Sequence, residues 1–145
     1  MVNIIDSAVD LVEKTVPAED IIGTVYEDKE MLKQYLAFQI QCGNAFIAVD
    51  RETGQATGVM VAYECDEEEA RQRFDWTVPS GKSCIFVAQV AAISDEARDL
   101  LAKGFLMAFP DPKPTFGLRK GRFTTMDAHK IANSLTRRRD ENGRR

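Results

Sequence analysis

Residues Ala45–Glu64 read AFIAVDRETGQATGVMVAYE, two β-prone runs on either side of a polar segment. Ala45–Val49 and Thr57–Tyr63 are rich in β-branched, aromatic and small apolar residues. Between them, Asp50-Arg51-Glu52-Thr53-Gly54-Gln55 combines polar side chains with a glycine able to take positive φ, which is what a hairpin turn needs. The stretch therefore predicts an antiparallel hairpin, and the rest of the chain is read outward from it.

Upstream, Asn3 to Glu13 carries Ile4, Ile5, Ala8, Val9, Leu11 and Val12 at helical spacing, and Pro17 closes the segment by disfavouring helical dihedrals at Val16. A second helix is expected from Glu27 to Gln41, with Met31, Leu32, Tyr35, Leu36, Phe38 and Ile40 as its apolar set and Gly43 as its stop. Glu27 and Asp28 would then lie at its positive end, where the macrodipole favours acids.

Downstream, Cys65 to Arg73 is a charged stretch suited to a short solvated helix. Its neighbouring carboxylates would point in different directions, so a metal cluster is not expected. Trp76 to Gly81 reads as a loop. Ser83 to Ile93, SCIFVAQVAAI, is almost unbroken apolar sequence, the pattern of a strand covered on both faces. Ser94 is a good N-cap for a helix with Ala97, Leu100, Leu101, Phe105, Leu106 and Phe109 on its core side, stopping at Pro110. Phe116 to Phe123 reads as one short strand or loop. A last helix, capped by Thr125 or Asp127, runs through Leu135, and TRRRDENGRR follows as a polar tail.

The chain of 145 residues, 44% hydrophobic with eight Phe, has the size and apolar content of one domain, expected over 1–135 with a basic tail over 136–145. No apolar run reaches the length of a membrane span and the first residues are acidic, so a soluble, cytoplasmic protein without membrane insertion is expected. Three cysteines without CxxC spacing and one histidine, His129, point to buried thiols and no metal site. The net charge of -4 is unevenly spread. Residues 1–112 hold 9 Lys+Arg against 20 Asp+Glu, and residues 113–145 hold 10 against 3. The basic end, above all Arg119, Lys120, Arg122, Arg137, Arg138 and Arg139, can meet a protein partner, a second copy of the acidic body, or nucleic acid. Phe116 and Phe123 are the aromatics interleaved with it.

The expected architecture is α+β: a mixed, largely antiparallel sheet with helices on both faces. This order of elements resembles the GNAT superfamily of N-acetyltransferases. Thr53-Gly54-Gln55-Ala56-Thr57-Gly58-Val59-Met60-Val61 looks like that family's turn and third strand, and Cys84–Ile93 looks like its fourth. From Phe38 to Leu135 the layout also resembles the RTX toxin-activating lysine acyltransferases. The shared features are the hairpin, a charged stretch, Trp76 with Ser80-Gly81, a buried strand, a helix ending in Phe109-Pro110, then Gly121 and Lys130-Ile131-Ala132.

The resemblance implies transfer of an acyl group from a thioester, acyl-CoA or acyl carrier protein, to an amine. Three departures bear on that activity. Where GNAT enzymes cradle pyrophosphate on a glycine-rich loop, this chain has Ala91-Ala92-Ile93-Ser94-Asp95-Glu96-Ala97-Arg98, without glycine and with two acids. Those acids would repel a phosphate by about a kcal/mol or more. The toxin-activating branch's histidine has no counterpart in residues 1–44, and its strand aspartate falls near Ala88. No tyrosine follows Tyr63 to serve as the acid.

What remains is Glu64 or Asp66 as the base, the backbone around Val90 as an oxyanion donor if the strand bulges there, and Val90, Ala91 and Arg98 against the donor. Cys84 lacks a histidine to activate it, and His129 reads as a surface residue. Two functions follow from this reading: an N-acyltransferase with an atypical donor site, or a GNAT-like assembly or adaptor protein without catalysis, such as a virion component.

Overall fold

The computed structural model describes residues 3–17, 29–72, 78–120 and 122–143, with the backbone alone at 72 and 137–143. α1 spans Ile4–Thr15, and the Asn3 side chain caps it by accepting from the Ile5 and Asp6 N–H groups at 3.0 and 3.2 Å. α2 spans Lys29–Gln41 and ends where Gly43 takes φ +76, a left-handed conformation that costs glycine nothing. Glu27 and Asp28, expected in its first turn, lie outside the described residues, as does Trp76.

The hairpin forms as read. β1, Ala45–Val49, pairs antiparallel with β2, Ala56–Cys65. Its turn is held by the Asp50 carboxylate, which accepts from the Glu52 and Thr53 N–H groups at 2.8 and 3.1 Å, and Gly54 adopts φ +74. α3, Glu67–Gln72, leads to β3, Cys84–Ala92, the buried central strand. α4, Asp95–Ala108, begins at Ser94, whose Oγ accepts from the Ala97 N–H at 3.1 Å. It stops before Pro110.

Two expectations are corrected after Pro114. The single strand or loop at 116–123 is a hairpin of two strands, β4 Thr115–Arg119 and β5 Arg122–Met126. Arg119 pairs with Arg122, and Lys120 at the turn takes φ 52. Lysine is an uncommon choice for that conformation, which is why the sequence does not announce the turn. The last helix, α5, spans Ala128–Gly143 and so continues past Leu135 through the segment read as a tail. Apolar periodicity ends at Leu135, but the arginines and glutamate beyond it favour helix and nothing breaks it before Gly143.

The strands form one sheet in the order β1-β2-β3-β4-β5, with β3 and β4 parallel and all other neighbours antiparallel. The fold is thus α+β with a five-stranded mixed sheet. α1 and α2 cover one face, where Val9, Leu36, Val59, Val61 and Phe86 meet. α4 and α5 cover the other, against Met60, Ala62, Ile85 and Val87. Side chains alternate between faces along a strand, so each strand feeds both cores.

Gly58 is a place where α4 packs tightly on the sheet: a Cβ there would lie 3.1 Å from Leu101 Cδ1 and 3.3 Å from Ala97 Cβ. Gly58→Val is expected to lower stability by about 1–3 kcal/mol by forcing α4 off the sheet, read as an earlier midpoint in urea unfolding.

Candidate functional site

β3 does not run straight beside β2. Val61 pairs with Gln89 and Ala62 with Val87, so Ala88 is an extra residue with no opposite number, a β-bulge. The bulge resets the alternation of side chains. Ala88 and Ala91 belong to the α1 and α2 core, while Val90, opposite Met60, turns to the α4 and α5 face and stays 49% exposed. Pairing between β3 and β4 covers only Ile85–Val87 against Thr115–Gly117, and beyond Val87 the two parallel strands part.

That parting opens a cleft of about 470 Å³, walled by Met60, Val90, Leu101, Phe105, Met126 and Ile131. A second space of about 210 Å³, reached past Val87, Val90 and Met126, lies between β3 and Leu118 of β4. The main cleft is of the size of a small-ligand site. Of the residues singled out from the sequence, Val90, Ala91 and Arg98 come together on its wall. Arg98 also holds Asp95 of its own helix at 2.9 Å. The N-terminus of α4 is capped by the Ser94 hydroxyl and carries Asp95 and Glu96, so the junction keeps the character read from its sequence.

Glu64 and Asp66 are placed elsewhere. Glu64 pairs with Ile85, four residues along β2 from Met60 and hence about 13 Å away. Its carboxylate forms an ion pair with Lys113, whose ammonium also donates to the Lys82 carbonyl at 2.8 Å. Asp66 accepts from the Ser83 hydroxyl at 2.7 Å and the Ser83 N–H at 3.3 Å. Glu69 completes this stitching by accepting from the N–H groups of Asp66, Ser80 and Gly81, each at 2.9 Å. The acids after β2 thus tie α3 and the approach to β3 together. Among the described residues no Asp, Glu, His or Cys lines the cleft.

His129, read as a surface residue, is buried. Its Nε2–H donates to the Phe109 carbonyl at 2.7 Å and its ring stands edge-on to Phe105 at 5.1 Å, joining the start of α5 to the end of α4. The chain folds back at Pro110 to bring them together, and no local pattern shows that contact. Cys42 is exposed, against the expectation of burial, while Cys65 and Cys84 are buried.

Phe116 and Phe123 stack on each other at 4.8 Å, Phe123 stacks on Phe86 at 6.0 Å, and Arg71 covers the Phe123 ring at 4.5 Å. They serve the core and do not present free faces to bases. Arg119, Lys120 and Arg122 sit together at the tip of the β4–β5 hairpin, next to Leu118 at the cleft's side. Arg137, Arg138 and Arg139 lie in α5. No helix among the described residues is long and apolar enough to cross a membrane, and among them no three potential ligands gather as a metal site.

No protein-family model, curated protein or solved structure matches the chain.

The three N–H donors hold the Glu69 carboxyl below its ordinary value of 4.5, the Asp66 N–H foremost. A depressed folded pKa contributes stability that is present above the unfolded value and lost as pH falls through the folded one. The stability difference between wild type and Glu69→Gln is therefore expected to be full at neutral pH and to shrink below about pH 4.5, in urea unfolding at stepped pH. A difference independent of pH would show that the carboxylate's charge is not what holds the loop.

Proposed function

We propose that this chain is an assembly protein built on a GNAT-like domain: it keeps an acyl-arm cleft of that architecture without the transfer chemistry, and it associates with a second copy of itself. The observation that carries this reading is the apolar wall of the cleft. Val90 and Ile131 stand 49% and 52% exposed on it, while the carboxylates suited to act as a base are bound to Lys113 and Ser83 well along the sheet. An uncharged apolar chain fits such a wall; a phosphate-bearing donor meets the acids of the α4 N-terminus.

Charge supports a second copy as the partner. The basic hairpin tip lies beside the cleft, and residues 1–112 carry an excess of 11 negative charges that a neighbouring molecule can offer to it. Salt should weaken such an association, because exposed opposite charges are screened within about 8–10 Å at ordinary ionic strength.

A second reading is favoured by the parting of β3 and β4. A bulged strand with an open edge suits an extended pantetheine arm, and the basic hairpin tip suits an acidic carrier protein. In that reading the chain is an N-acyltransferase supplied with acyl groups without a pyrophosphate contact at α4.

Light scattering and titration calorimetry on the full chain separate the two. The assembly reading expects a solution mass above the monomer that falls with added salt and in Ile131→Asp, unchanged assembly in Glu64→Gln/Asp66→Asn, and no heat with acetyl-CoA. A monomer that binds acetyl-CoA or a longer acyl-CoA at micromolar affinity, or that acylates an amine from an acyl carrier protein donor, would overturn it in favour of the enzyme.

A further inference from the structure

At the other end of the sheet from the cleft, Cys65 closes β2 and Cys84 opens β3, and the register sets them directly opposite each other. Both are buried on the α1 and α2 side. Their Sγ atoms lie 3.9 Å apart, and the Cys84 thiol donates to the Cys65 carbonyl at 3.1 Å. Opposed residues of an antiparallel pair have Cα atoms about 4.5–5.5 Å apart, within the span of about 4.4–6.8 Å that a disulfide bridges. The backbone therefore stands ready for the bond, and rotation of the side chains brings the sulfurs together.

We propose that Cys65 and Cys84 form a redox-responsive cross-strand pair, two thiols under reducing conditions and an intramolecular disulfide once a small-molecule disulfide has oxidised them. In the first step the Cys65 thiolate attacks one sulfur of the oxidant and expels one thiolate, leaving a mixed disulfide. In the second, the Cys84 thiolate attacks the Cys65 sulfur and expels the other. Two protein thiols are oxidised, one small disulfide is reduced to two thiols, and the two protein protons end on the leaving thiolates.

The surroundings set the rate. Burial pushes both thiols above their ordinary range, so thiolate is scarce while the fold is closed. The residues that flank the pair are tied down by the acids described above: Asp66, which follows Cys65, holds Ser83, which precedes Cys84, and Glu69 holds Ser80 and Gly81. Exchange proceeds when this clamp opens. Once made, the bond closes the segment 66–83 into a loop and restricts the unfolded chain.

The test uses the full chain with Cys42→Ser, which removes the exposed thiol, incubated with oxidised glutathione both as the native protein and during refolding from urea. Intact mass and peptide mapping are expected to show the loss of two hydrogens and a linked peptide containing Cys65 and Cys84, reversed by dithiothreitol and absent in Cys65→Ser and Cys84→Ser. The oxidised form should melt about 5 °C or more above the reduced form, and Glu69→Gln should close several-fold faster in the native arm. Two free thiols, or glutathione persisting on either cysteine in both arms, would overturn the proposal. Closure no faster in Glu69→Gln would overturn the gating assigned to the clamp.

Discussion

β3 carries one residue more than β2 can pair, and most of what distinguishes this molecule follows from that misfit. Ala88 has no partner, so the strand bends and its alternation is reset. Without the bulge Val90 would fall on the α1 and α2 face; with it, Val90 faces the α4 and α5 layer and remains half exposed. Past the same point β4 no longer follows β3, which leaves a wedge that α4 and α5 roof without filling. The helices can hold that position because Gly58 lets α4 lie close to the sheet, and because His129 fastens the start of α5 to the end of α4.

The two ends of the sheet are stabilised by different physics. At the α3 end, polar groups dominate: Glu64 with Lys113, Asp66 with Ser83, and Glu69 across three backbone N–H groups. Partly exposed ion pairs of this kind contribute little each, but the carboxylate-to-backbone bonds satisfy donors that an irregular loop would otherwise leave to water. At the cleft end the wall is apolar and partly uncovered, which costs free energy unless something covers it. One end is closed by its own side chains, and the other offers a surface. This contrast is why the functional reading rests on the cleft although the carboxylates are the residues that look reactive in the sequence.

Most of what was legible in the chain was local, where a neighbour in sequence is also the neighbour in space. The first hairpin with its Asp50 and Gly54 turn, the Asn3 and Ser94 caps, the helix stops at Gly43 and Pro110 and the buried run at Cys84–Ala92 all follow from local rules of dihedral preference, capping and periodicity. The β4–β5 hairpin escaped because Lys120 occupies a conformation that lysine seldom marks, and the length of α5 escaped because helix propensity continues where apolar periodicity stops. Of the candidate site, the gathering of Val90, Ala91 and Arg98 was readable from the expected strand-to-helix junction. The placement of Glu64 and Asp66 away from it was not.

By itself, then, the sequence determined the elements up to Pro110, the α+β class and the lopsided charge, since each depends on residues within a turn or two of one another. Only the tertiary structure decided that β3 bulges at Ala88, that His129 is interior, that Cys65 faces Cys84, and that the acids after β2 serve a loop. Those facts depend on strand register and on how a helix crosses a sheet. A one-residue change in register moves every side chain beyond it to the opposite face, and no local pattern in this chain records which register the packed core selects.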